Sequence, residues 1–78
     1  MTKPFDIRLT PADRKKLLHA YRTATSYHQR LRVHILLLLD EDHKVAEVQA
    51  ITFTGETDVA NAVRLFREGG VAAVVREG

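Results

Sequence analysis

The sequence contains no cysteine, which excludes disulfide bonds, thiolate metal sites and cysteine nucleophiles. It has no tryptophan, two tyrosines and three phenylalanines, so its core must consist mainly of leucine, isoleucine and valine. The longest apolar runs, such as residues 35–39, are far shorter than the roughly 20 residues of a membrane span. The first residues, MTKPFD, lack the apolar stretch of a secretory signal peptide. We therefore expect a soluble, cytoplasmic protein with no membrane partner.

The chain has 78 residues, which predicts one small domain over residues 1–78. That length is too short for a complete catalytic domain of the phosphoryl- or strand-transfer type. No pair among the four histidines is three or four residues apart, so nothing fixes the geometry of a metal site. These histidines are His19, His28, His34 and His43. No nucleophile with a base and an orienting group is evident. We expect no enzymatic activity, no catalytic residue, no metal and no cofactor.

The net charge of +2 hides an asymmetry between the two halves of the chain. Residues 1–34 contain eight Lys/Arg and two Asp/Glu, whereas residues 35–78 contain four and eight. Such a division can indicate a nucleic-acid surface on the basic half. It can equally indicate two halves that attract each other, within the fold or between two copies.

The first half of the chain predicts an extended arm over residues 1–9 and then two helices. Thr10 is a helix cap and Pro11 suits the first helical position. The helix should reach about residue 23, with Leu17, Leu18 and Tyr21 buried. Ser26 caps a second helix, and Gln29 stands where it would complete a capping box. The apolar stripe of this second helix is wide, which is typical of the central helix of a bundle. The acids at residues 40–42 oppose its dipole.

The second half predicts two helices that are joined by a tight turn. The third helix covers residues 45 to 51 or 52, with Val48 and either Ile51 or Thr52 facing inward. The turn covers residues 52–55, and we expect Phe53 to fold back onto the core. The fourth helix covers residues 56–68 and ends at Gly69-Gly70, a C-cap signal. Residues 71–78 form a tail whose apolar part should pack on the first helix. Two helices joined in this way have the shape of a helix-turn-helix.

Four residues of the last helix share the face opposite its buried stripe, so they would point into a DNA groove. They are Thr57, Ala60, Asn61 and Arg64. Asn can pair bidentately with adenine and Arg with guanine, each pair worth ~1–3 kcal/mol of discrimination. The alternative is that these side chains are simply hydrated. Glu56 and Asp58 would repel a phosphate backbone, but both also suit the capping of a helix N-terminus.

The Lys and Arg side chains that are concentrated in the first half of the chain could hold DNA phosphates. The predicted phosphate contacts are Lys15, Lys16, Arg30, Arg32 and Lys44. Phosphate contacts would position the protein and make its binding strongly dependent on salt. Two alternatives remain open: an ordinary charged face for solubility, and pairing with the acidic half of a second copy to form a homodimer.

Three stretches of the sequence, residues 8–14, 32–38 and 59–71, resemble a known family in their order and spacing. It is the N-terminal homeodomain-like domain of mariner-type insertion-sequence transposases, and the similarity spans about residues 7–75. The resemblance implies an all-α helix-turn-helix that docks on the terminal DNA of a transposon, with a catalytic domain elsewhere. In an ungapped alignment the family's turn glycine falls on Phe53 and its arginine-rich recognition helix on residues 56–62, whose net charge is −2.

Together these observations predict an all-α fold: a small bundle of four helices with a C-terminal, homeodomain-like helix-turn-helix. The predicted function is binding of double-stranded DNA, either as the end-binding domain of a transposase or as a stand-alone regulator. Such a protein would be bacterial and associated with the nucleoid. The alternative is a protein-interaction or dimerisation module that kept the fold and lost DNA binding. In that case the acidic start of the last helix and the apolar residues 71–75 would meet the partner.

Overall fold

The computed structural model describes residues 7–76, and within this range the chain forms four α-helices and no β-strand. They are α1 (Pro11–Thr23), α2 (Tyr27–Asp40), α3 (Val45–Thr52) and α4 (Glu56–Val75). The all-α class and the four helices that the sequence predicts are confirmed. Most of the predicted arm, residues 1–6, and the last two residues of the tail lie outside the described residues.

The second helix, α2, is the centre of the bundle. Val33, Ile35 and Leu36 are completely buried, and residues 37–39 are buried as well. α2 contacts each of the other three helices, which is why apolar side chains surround it on several sides. Full burial of a leucine, isoleucine or valine side chain contributes about 1.5–3 kcal/mol. The wide stripe in the sequence therefore predicted the central helix correctly.

The first two helices begin at the caps that the sequence predicts. The hydroxyl of Thr10 accepts a hydrogen bond from the backbone N–H of Asp13 at 3.0 Å. The hydroxyl of Ser26 accepts one from the backbone N–H of Gln29 at 3.4 Å. The side chain of Gln29 was expected to complete a capping box, but its amide nitrogen donates to the carbonyl of Val75 at 2.9 Å. The side chain of Gln29 therefore binds the end of α4 instead of capping the start of its own helix.

The buried stripe of α1 is narrower than the sequence predicts. Leu17 and Ala20 are buried, whereas Leu18 and Tyr21 are partly exposed at the edges of the helix. Leu18 lies on the outer face of α1, and the ring of Tyr21 packs on His34 and Arg30 of α2 at the rim of the contact instead of in the core. The prediction that Leu18 and Tyr21 are buried was therefore wrong.

The acids at the end of α2, which oppose the helix dipole, are paired with the first part of the chain. Arg14 donates to Asp40 at 3.0 Å and to Glu41 at 2.8 Å. The backbone N–H of Leu9 donates to Asp40 at 2.9 Å, and Arg8 lies 3.3 Å from Asp42. The opposite charges of the two halves thus meet within one fold at this point.

The third helix ends in an αL residue that is not glycine. Phe53 has φ 57° and ψ 44°, and the N–H of Thr54 donates to the carbonyl of Gln49 at 3.2 Å. This is the Schellman arrangement, in which glycine usually occupies the αL position. The turn therefore adopts a glycine-type backbone conformation with a bulky residue in it.

The side chain of Phe53 does not fold back onto the core as the sequence analysis expects. It is almost fully exposed, because the inward position at the end of α3 belongs to the preceding residue, Thr52. Of the two candidates for the inward position, Ile51 and Thr52, the structure buries Thr52. Its hydroxyl donates to the carbonyl of Val48 at 2.7 Å and lies 2.8 Å from the hydroxyl of Thr54. The buried polar group is therefore fully paired.

The double glycine interrupts the last helix as predicted, but the chain then resumes a helical turn. Gly70 has φ 67° and ψ −158°, and α4 continues beyond this kink to Val75. A Cβ at Gly69 would lie 2.7 Å from the Cβ of Ala73, so a side chain there would collide with the returning turn. The two glycines have different roles: Gly70 supplies the bend and Gly69 allows the close approach after it.

The C-terminal turn packs back on the bundle, and the hydrogen bonds that anchor it come from α2 rather than from the expected α1. Arg32 donates to the carbonyls of Val74 and Arg76 at 3.0 and 2.9 Å, beside the bond from Gln29 to Val75. Val74 is completely buried. The turn thus closes the end of the core near the start of α2.

Candidate nucleic-acid interface

The start of α4 is stabilised by its own acids. Gly55 is the N-cap, and its backbone N–H donates to the carboxylate of Asp58 at 3.2 Å. Glu56 also lies in the first turn, where a negative charge complements the helix dipole. For Asp58 the capping function that the sequence suggests is confirmed. Its carboxylate is therefore engaged at the helix end.

The flank of α4 that carries the predicted base contacts is open to solvent. Val59, Ala62 and Val63 face the core and are buried. On the opposite flank Thr57, Asn61 and Arg64 are exposed, and Ala60 is half-buried. Three of the four predicted base contacts are thus accessible to solvent. The helical periodicity therefore assigned these residues to the correct face.

A shallow cavity of about 210 Å³ runs between α4 and the first half of α2. Asp58, Asn61 and Arg64 line it from α4, and His28 and Arg32 line it from α2. Its floor is apolar and consists of Leu31, Ile35 and Leu65. Two predicted base contacts thus lie beside one predicted phosphate contact, Arg32, which is far from both of them in the sequence. His28 joins them without any sequence signal, since only the packing of α2 against α4 brings it here.

Three arginines of α2 and α4 also make contacts within the chain. Arg64 pairs with Glu68 one turn further along α4 at 3.4 Å. Arg32 holds the C-terminal turn through two carbonyls. Arg30 donates to the carbonyl of Ala24 at 3.1 Å, and its guanidinium lies over the ring of Tyr21, 5.9 Å from the centroid. Backbone carbonyls thus orient Arg30 and Arg32, whereas the exposed pair of Arg64 with Glu68 is a weak surface contact.

The predicted lysine contacts lie elsewhere on the surface. Lys15 and Lys16 are exposed on α1, and Lys15 borders a depression on the outer face of that helix together with Arg14, His19 and Arg22. Lys44 is exposed at the N-cap of α3, where its backbone N–H donates to Glu47 at 2.8 Å. Within residues 7–76 the lining of the cavity between α2 and α4 includes no lysine. The five predicted phosphate contacts therefore form no single cluster.

The ion pairs of Arg14 join a cation from the basic half of the chain to acids from the acidic half. Hydrogen bonding to Glu41 is the main cause that raises the pKa of Arg14, and charge interactions with Glu41 and Asp40 add to it, against the opposing effect of burial. Because Arg14 and Arg8 are paired with the acids at the end of α2, these charges are already partly compensated within one copy.

Among residues 7–76 no three His, Cys, Asp or Glu side chains are grouped so that they could hold a metal ion. In the same part of the chain, no helix combines the length and the hydrophobicity that crossing a bilayer requires. Comparison of the chain with models of protein families, with curated proteins and with solved structures finds no match.

Proposed function

We propose that this chain is a DNA-binding module of the helix-turn-helix type, with α4 as the helix that enters the major groove. The observation that carries the proposal is the pair α3 and α4. The two helices are joined by a three-residue turn in the αL conformation at Phe53, and the second of them keeps a polar flank exposed. In helix-turn-helix proteins the second helix presents an exposed polar flank to base edges, and this likeness supports the proposal.

On this proposal Asn61 and Arg64 read bases, Thr57 contributes a hydroxyl and Ala60 an apolar contact. Asn suits adenine, Arg suits guanine, and a small apolar side chain suits the methyl group of thymine. Arg32 lies across the cavity from Arg64, so a strand that follows α4 would also pass near α2.

The remaining predicted contacts hold phosphates. Lys15, Lys16, Arg30 and Lys44 carry exposed positive charges on α1, α2 and the start of α3. Such contacts release counterions and fix orientation without reading sequence. A module of this kind would serve either as the end-binding domain of a transposase or as a stand-alone regulator, in both cases at the bacterial nucleoid.

A salt titration with random duplex DNA tests the proposal. Binding through several cations should give a slope of about −3 or steeper in a plot of log affinity against log salt. Absence of binding at low salt would reject the DNA-binding function.

A second measurement separates base reading from phosphate contact. Replacing Asn61 and Arg64 together by Ala should reduce the preference for a selected site over random DNA by about tenfold or more. Arg22→Ala is the matched control, because it removes one exposed charge from the outer face of α1. It should leave that preference unchanged. If both variants keep the preference, the contact surface is not the flank of α4.

A second candidate function, a protein-interaction module, is favoured by one observation. Four large side chains around the turn after α3 are partly or almost fully exposed, and we call them the aromatic patch: Tyr21, Tyr27, Ile51 and Phe53. Residues 71–75, which the sequence suggested for this function, pack on the chain's own core instead. A chain that stays monomeric and captures no partner would count against this candidate.

A further inference from the structure

His28 and Arg32 are four residues apart on α2, so they lie on the same face of the helix. Both line the cavity between α2 and α4. His28 is exposed, whereas Arg32 is half-buried and fixed by its bonds to the carbonyls of Val74 and Arg76. These bonds use two of the five N–H donors of a guanidinium, so Arg32 can still donate to a further acceptor. The wall formed by α2 thus combines a fixed cation with an accessible imidazole.

The charged groups that line the cavity opposite His28 are Asp58 and Arg64 of α4. The carboxylate of Asp58 is engaged at the start of its own helix. On α2, His28 has Arg32 one turn further on and the ring of Tyr27 beside it, with 5.7 Å between the ring centroids. The lining thus has two positive charges and one negative charge when His28 is neutral, and three against one when it is protonated. Protonation of His28 therefore makes the cavity a better site for an anion.

The position of the cavity indicates which anion this would be. Asn61 and Arg64, the proposed base contacts, line the wall formed by α4. A strand whose base edges meet these two side chains carries its phosphates along the side of the groove, next to the wall formed by α2. The apolar floor lowers the local dielectric, which strengthens electrostatic contacts. His28 also lies in the first turn of α2, where the helix dipole favours an anion.

We infer that His28 is a further DNA contact, which in its protonated form holds a backbone phosphate together with Arg32. The phosphate belongs to the strand whose bases face Asn61 and Arg64. This inference rests on the proposed function and adds a pH-dependent contact to it. Histidine is the side chain whose charge changes between about pH 5 and pH 8. DNA binding should therefore become tighter as the pH falls through this range.

Counterion release gives the size of the effect. Each phosphate that a protein neutralises adds about 0.9 to the slope of log affinity against log salt. Between about pH 8 and about pH 5.5 the slope of the wild-type chain should become steeper by about 0.9. At about 0.1 M salt the same contact should increase the affinity by about five- to tenfold.

Fluorescence anisotropy with a labelled random duplex, measured at both pH values over a range of salt, tests the inference. His28→Gln keeps a polar side chain that cannot gain a charge. It should bind like the wild type at about pH 8 and lose the increase at about pH 5.5. His28→Lys has a permanent charge, so at about pH 8 it should bind as tightly as the wild type does at about pH 5.5. Because one variant loses affinity and the other gains it, misfolding cannot explain both results.

His19→Gln is the matched control, because His19 is an exposed histidine on the outer face of α1. It should keep the full pH response. Three results would overturn the inference and leave the DNA-binding function intact. They are wild-type binding that does not change with pH, a pH response that survives His28→Gln, and a response that disappears in His19→Gln. Absence of DNA binding at low salt and at both pH values would instead reject the proposed function, and the inference with it.

Discussion

Replacement of Arg14 by methionine should destabilise the fold, because this one side chain neutralises two acids at the C-terminus of α2. Arg14 donates to Asp40 at 3.0 Å and to Glu41 at 2.8 Å. Methionine keeps most of the aliphatic stem and removes the charge and the donors. The two acids would then face the negative end of the helix dipole without a counter-charge.

The exposure of the partners sets the magnitude. The side chain of Asp40 is only 16% exposed, so its pair is worth about 1.5–2 kcal/mol, the lower end of the range for hydrogen bonds to charged groups. The side chain of Glu41 is 48% exposed, and solvent screening limits that pair to about 0–1 kcal/mol. We expect Arg14→Met to lower the free energy of unfolding by about 2 kcal/mol. For a domain of this size that corresponds to a decrease in Tm of about 10 °C.

Thermal unfolding followed by circular dichroism measures this effect, with Lys15→Met as the matched control. Lys15 is the next residue on α1 and is exposed, so its replacement should change stability by less than about 0.5 kcal/mol. If both variants lose the same stability, the ion pairs of Arg14 contribute nothing specific and the reasoning is refuted.

The pH dependence gives a further test of the same pairs. Because the folded state raises the pKa of Arg14, its stabilisation is complete below the ordinary pKa of a guanidinium. It is lost only when the pH rises through the raised value. The difference between wild type and Arg14→Met should therefore not shrink between about pH 7 and pH 10. A difference that disappears within this range would contradict the assignment.

Two further substitutions test the backbone and the core. Gly70→Ala should lower the free energy of unfolding by about 1–3 kcal/mol through backbone strain alone, since φ is 67° and no atom lies within 4 Å of the added Cβ. Gly55→Ala, with φ −93° and equally open space, is its control and should change little; equal losses would exclude the strain explanation. Leu36→Ala should cost about 2–5 kcal/mol in a urea titration, because Leu36 is completely buried in the central helix. A loss below about 1 kcal/mol would show that α2 is not the centre of the core.

Local features of the sequence were sufficient to predict the four helices. Thr10 and Ser26 cap their helices through groups three residues away, and the apolar period of α2 follows from the geometry of one helix. The exposed flank of α4 was predicted for the same reason, because Asn61 and Arg64 are opposite Val59 and Val63 on any regular helix. The DNA contacts assigned to that flank remain a prediction.

Within the candidate site, the sequence could not predict which residues from different helices come together. His28 and Arg32 lie beside Asn61 and Arg64 only because α2 packs against α4. Nothing in the spacing of these residues encodes that contact. The separate positions of Lys15 and Lys44 have the same origin, since each follows the orientation of its own helix.

The sequence by itself determined where the four helices begin and where the last one bends, because caps, glycines and apolar periods act over three or four residues. Only the tertiary structure decided which partner each side chain has. It directed Gln29 to Val75 instead of to its own helix end and joined Arg14 to the acids of α2. It also left Phe53 outside, because Thr52 occupies the inward position at that turn. The contacts of Gln29 and Arg14 join residues that are distant in the chain. The exposure of Phe53 depends on which of two neighbouring residues occupies one inward position. Both kinds of outcome are decided only when the helices pack together.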